Sequence, residues 1–123
     1  MKFNIEIIDR QSFVQVKFFG VWSNYNSKNI FSEMQSSISS SGHKKVMFDY
    51  TESGFMEGSP LMDNEEAKLL SEIPNVGNYK FASVFKTEDE VARFKLWEII
   101  ASKMHVIIKF FDNEEEAVSW LLG

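Results

Sequence analysis

Cysteine is absent from the 123 residues, which removes disulfides, thiol nucleophiles and thiolate metal sites together and fits a reducing compartment. Histidine is nearly absent. His43 and His105 are the only two, and neither has a second ligand at i, i+4 spacing, so no metal site is expected. The six glycines stand apart from one another, so there is no phosphate-cradling glycine loop and no Gly-x-Ser-x-Gly nucleophile elbow. No cofactor is implied. Long apolar runs are missing too: "HVIIKFF" is short and broken by charge, so no membrane-spanning segment is expected. The start "MKFNIEIIDR" lacks the apolar stretch of a secretion signal. Positive charge is scarce, with 13 Lys and Arg against 18 Asp and Glu and a net charge of -5. Nucleic-acid binding relies on basic groups neutralising phosphates, and these are few and scattered, so a nucleic-acid partner is not expected. A cytoplasmic protein is the reading that follows.

What is abundant is aromatic surface. Twelve Phe and three Trp lie in a chain that is 44% hydrophobic, enough for large rings to fill a core or line a pocket. The length suits one domain over residues 1–123, and no linker or internal repeat interrupts it.

The hydrophobic period switches along the chain. "FNIEII" and "FVQVKFFG" alternate as strands, with "DRQS" between them as a hairpin turn. Ile30, Phe31, Met34 and Ile38 recur at helical spacing after "SNYNS", and Gly42 supplies a stop. "KVMFDY", "YKFASVF" and "HVIIKFF" are near-continuous apolar runs suited to strands covered on both faces. His105 would open the last of them, and His43 would be solvated in "GHKK". Thr87 and Glu90 form a capping box before Val91, Phe94, Leu96, Trp97, Ile99 and Ile100, which predicts one largely buried helix. Asp112 or Asn113 caps a last helix whose first turn holds three Glu, favourable at the positive end of its dipole. The order ββαβαβαβα predicts an α/β fold: an N-terminal hairpin and parallel strands in a mixed five-stranded sheet with packed helices.

The loop from Thr51 to Asp63 follows a buried strand, at the carboxyl end where ligands tend to bind in open α/β sheets. Ser59 with Pro60 reads as a helix start, and Asp63 with Glu66 offers a second one. Phe55, Met56 and Leu61 either close over the core or form an apolar patch. Asp49, Glu52, Glu57 and Asp63 read as a solvated acidic rim rather than an acid/base pair.

"VMFDYTESGFMEGSPL" resembles the strand and loop of STAS domains, the anti-sigma-factor antagonist family, in which an acidic residue, Ser, Ser or Thr, Gly and Leu begin a helix. The closing "FFDNEEEAVSWL", with Phe111, Asp112, Glu116, Ala117, Trp120 and Leu121, resembles the SpoIIAA-like (STAS/SEC14-like) branch, as "YKFASVF" resembles its fourth strand. The resemblance implies a bacterial STAS-like (SpoIIAA-like) domain. In it Glu57 matches the acidic residue, Gly58 falls where the phosphorylated Ser stands, Ser59 takes the next place, Pro60 replaces Gly, and Leu61 is kept. Glycine cannot accept phosphate, and Ser59 could substitute only if the loop slips by one residue, so no phosphoserine switch is expected.

Together these readings give a non-enzymatic regulatory or binding module that recognises a protein partner or small ligand through Tyr50, Phe55, Met56, Glu57, Gly58, Ser59 and Leu61. The alternative is a carrier or sensor of a lipid or other small apolar ligand in an aromatic-lined pocket. Strand edges and apolar loop residues leave a homodimer open.

Overall fold

A computed structural model of the chain describes residues 4–22, 24–55, 68 and 70–123. The strands are β1 (Asn4–Asp9), β2 (Val14–Trp22), β3 (Lys45–Phe55), β4 (Lys80–Val84) and β5 (Ile108–Phe111). They form one sheet in the order β1-β2-β3-β4-β5, with β1 antiparallel to β2 and every other pair parallel. The helices are α1 (Asn24–Ser41), α2 (Glu88–Phe94), α3 (Leu96–Lys103) and α4 (Glu114–Leu122), with a short 3-10 turn at Val76–Asn78. Helical backbone is also present at Lys68, Leu70 and Ser71.

Because β2 to β5 advance in one direction and parallel crossovers are right-handed, the intervening helices must lie on one face of the sheet. The burial follows that rule. Phe31, Met34, Ile38, Leu70, Phe94, Trp97 and Ala101 pack with Val16, Phe18, Val46, Phe48, Tyr50, Phe81 and Phe110 in the larger core. Among the described helices only α4 turns back onto the other face, where Ala117 and Leu121 meet Phe13, Met47, Ala82, Val84 and Phe111. The central strands are therefore buried on both sides, as their apolar runs require.

Among the described residues, the predicted N-caps of α2 and α4 and the glycine stop of α1 are present. Thr87 Oγ1 accepts from Glu90 N at 3.2 Å, and Asn113 Oδ1 accepts from Glu116 N at 2.8 Å. Gly42, with φ of +79°, follows α1 in a left-handed conformation that glycine reaches without steric cost.

Four readings of the helices and histidines change. The predicted single helix from Thr87 is two, because Glu98 N bonds Lys95 O at 3.0 Å in a tightened i, i+3 turn at Lys95. Its surface is not largely buried: Leu96 is 66% and Ile99 53% exposed, since α3 needs only the Trp97 and Ala101 stripe for the core. His105 does not open a strand but sits exposed in the turn after α3 with φ of +64°, and β5 begins at Ile108. His43 is not solvated: in the connection from α1 to β3 its side chain is only 18% exposed, with Nε2 3.0 Å from Asp9 Oδ1 at the end of β1.

Edge strand β5 is guarded on its open side. Phe110 N donates to Glu98 Oε1 at 2.7 Å, so a carboxylate from α3 occupies a donor that would otherwise face a new strand.

Candidate functional site

The third strand runs five residues beyond the predicted "KVMFDY", so Thr51 to Phe55 are strand rather than loop. This extension depends on an irregularity in the pairing with β2. Lys17 is opposite Asp49 and Phe19 opposite Glu52, so Tyr50 and Thr51 together face the single residue Phe18. One extra residue is a β-bulge. Tyr50 and Phe55 are five apart, and strict alternation would send them to opposite faces. The bulge puts both on the helix face.

There the rings form a continuous cluster. Tyr50 stacks on Phe18 at 4.5 Å and on Phe85 at 5.1 Å, with 7° between planes in each pair. Phe55 tilts against Phe94 at 4.8 Å, Tyr50 at 6.0 Å and Phe85 at 6.1 Å. Tyr50 is fully buried and cannot touch a partner directly, so it supports Phe55 from below. Phe55 is half-buried at the end of the strand, the last described residue before the segment that would carry recognition. Met56, Glu57, Gly58, Ser59 and Leu61, with both predicted helix starts, lie outside the described residues.

The opposite face of the same strand ends carries a polar network. Asp49 is not part of a solvated rim: only 7% of it is exposed. Its Oδ1 accepts from Thr51 N at 2.9 Å and Thr51 Oγ1 at 2.6 Å, and its Oδ2 accepts from Gln15 Nε2 at 2.9 Å. Gln15 Oε1 accepts in turn from Arg10 Nη1 at 2.7 Å, and Arg10 reaches Glu114 Oε1 at 3.4 Å. Sequence reasoning missed this group because a carboxylate is rarely buried without partners, and its partner Gln15 lies on a different strand, 34 positions away. Glu52 is exposed as expected, and Glu57 and Asp63 lie outside the described residues. Among the described residues no group of three or more His, Asp or Glu could hold a metal ion. Nor is any described helix long and apolar enough to cross a membrane.

No family model matches the sequence, and neither does any curated protein. Solved structures do match. An uncharacterised protein of the DUF3478 family from Shewanella loihica PV-4, with a SpoIIAA-like fold, aligns over 97% of this chain and 93% of its own at 17% identity, with a TM-score of 0.58. An anti-sigma factor antagonist from Mycobacterium paratuberculosis aligns over 99% and 96% at 8% identity, with a TM-score of 0.68. The fold is SpoIIAA-like. Unphosphorylated SpoIIAA itself, an anti-sigma factor antagonist, aligns over 99% of both chains at 15% identity, with a TM-score of 0.54. At these identities the likeness carries the STAS-like fold and nothing finer. The mixed five-stranded sheet predicted from the sequence is thus shared with these structures.

Proposed function

We propose that this chain is a non-enzymatic STAS-like regulatory module that recognises a protein partner through the end of β3 and the residues that follow it. The observation that carries the reading is the placement of Phe55. A bulged strand delivers a half-buried aromatic to the rim of the sheet, directly before Met56 to Leu61, in a fold also found in anti-sigma factor antagonists. Gly58 in place of a phosphorylatable hydroxyl supports recognition without a phosphoserine switch. The aromatic side chains favour a protein partner over a lipid cargo. Among the described residues Phe18, Tyr50, Phe55, Phe85 and Phe94 pack on one another at 4.5 to 6.1 Å.

The test is a quantitative pull-down from lysate of the source organism with wild type and a Phe55→Asp, Met56→Asp variant. Circular dichroism of both checks the fold. The variant is expected to lose at least one protein that wild type recovers; an identical set recovered by a folded variant refutes the assignment. Intact-mass measurement of protein purified from its source is expected to show no phosphate adduct.

A further inference from the structure

The α4 face of the sheet holds a cleft of about 170 Å³, bounded by Met47, Asp49, Thr51, Val84, Lys86, Asp112 and Glu114 among others. It lies at the start of α4, on the opposite face of β3 from Phe55. Asp49 is its most buried charged group. Removing a carboxylate from water is costly unless charge or hydrogen bonds compensate it. Among the described residues its three hydrogen bonds come from neutral groups, and the nearest guanidinium reaches it only through Gln15.

We infer that this cleft binds a compact organic cation, an ammonium or guanidinium group, seated on Asp49. A carboxylate has about four acceptor positions. Oδ1 takes two donors here and Oδ2 takes one, which leaves room on Oδ2 for another. Thr51 Oγ1 has its proton directed at Asp49, so its lone pairs add a second acceptor beside the first. Both groups therefore ask for a donor. The surrounding charge has the same sense on balance, with Asp49, Asp112 and Glu114 against Lys86 in the lining and Arg10, which pairs with Glu114 at 3.4 Å. An anion at the start of α4 would meet Glu114, Glu115 and Glu116 in the first turn. Met47 and Val84 belong to the apolar cluster beneath and offer a wall for a short methylene stem. The volume admits a few carbons and a charged head, and excludes a nucleotide. The cation could be a free amine or a Lys or Arg side chain of another protein, and the chemistry at Asp49 is the same for both.

The test is an amide-resolved NMR titration with n-butylammonium chloride, with the peptide acetyl-Gly-Lys-Gly-amide, and with sodium chloride at matched ionic strength. Saturable shifts at the Thr51, Val84 and Asn113 amides are expected with the amine or the peptide and not with sodium chloride. Whichever saturates at lower concentration identifies the source. Asp49→Asn should weaken binding by roughly tenfold or more. Because that change also disturbs Gln15, a second variant, Asp112→Asn with Glu114→Gln, removes charge from exposed positions and should weaken binding severalfold with the fold intact. Phe55→Asp should leave it unchanged, which separates this site from the partner surface proposed above. Shifts that match the sodium chloride series, or that survive both the Asp49 and the rim variants, overturn the inference.

Discussion

Replacing Glu98 by Ala tests whether a single carboxylate guards the edge of the sheet. Glu98 is half-buried on α3, and its Oε1 accepts from Phe110 N at 2.7 Å, a short charge-assisted bond. Bonds to charged groups contribute about 1.5–3 kcal/mol net. Water can reach part of this site, so the lower end of that range applies. Alanine also returns about 0.4 kcal/mol through its better helix propensity. The difference leaves a loss of about 1 kcal/mol, which for a domain of this size lowers Tm by about 4 °C. Glu98→Gln keeps an acceptor without the charge and should lose about half as much. The decisive assay is amide hydrogen exchange at Phe110, which should accelerate in Glu98→Ala well beyond the change at Lys109, while Glu98→Gln stays close to wild type. An unchanged Phe110 rate in Glu98→Ala would show that water or another group serves that amide equally well, and the guarding argument would fail. Light scattering on the same samples reads the second consequence: freeing the edge should increase self-association.

Two further outcomes follow from local geometry. Asp9 is exposed, and its carboxyl is held below the usual carboxylate range, first by the Gln11 backbone N–H and then by His43. A depressed carboxyl stabilises the fold above its unfolded pKa and loses that contribution as pH falls through the folded value. The Gln11 amide resonance should therefore move as pH drops below about 4, and Asp9→Asn should remove that titration. Thr87→Ala removes the cap at the start of α2 and should cost about 1 kcal/mol, read as a lower urea midpoint at unchanged slope.

Much of the architecture was legible because local chemistry and burial agree. The alternation of Val14, Val16 and Phe18, the spacing of Phe31, Met34 and Ile38, and the caps at Thr87 and Asn113 each specify an element without help from distant residues. The end of β3 was hidden for the opposite reason. "TESGF" contains no apolar period, and its strand conformation comes from pairing with Gly20, Val21 and Trp22 across a bulge, a contact between residues more than thirty positions apart. Ser53 is buried there although serine carries no hydrophobic signal. Asp49 was misplaced on the surface because its compensation comes from Gln15 on a neighbouring strand. The turn at Lys95 had no glycine or proline to announce it, and the apolar positions ran on through it. Of the candidate recognition residues, Tyr50 proved to be a core ring beneath Phe55 rather than a contact surface.

The flat stack of Phe18, Tyr50 and Phe85 has an optical consequence. A phenol held parallel between two rings in a fixed, chiral setting should give a strong near-ultraviolet circular dichroism band, while a freely rotating tyrosine gives almost none. Tyr50 packs against Phe55 with ring centroids 6.0 Å apart, so the part of that band lost in Tyr50→Phe is a label-free gauge of order at the end of β3. Binding that shifts Phe55 would be visible there without any added probe.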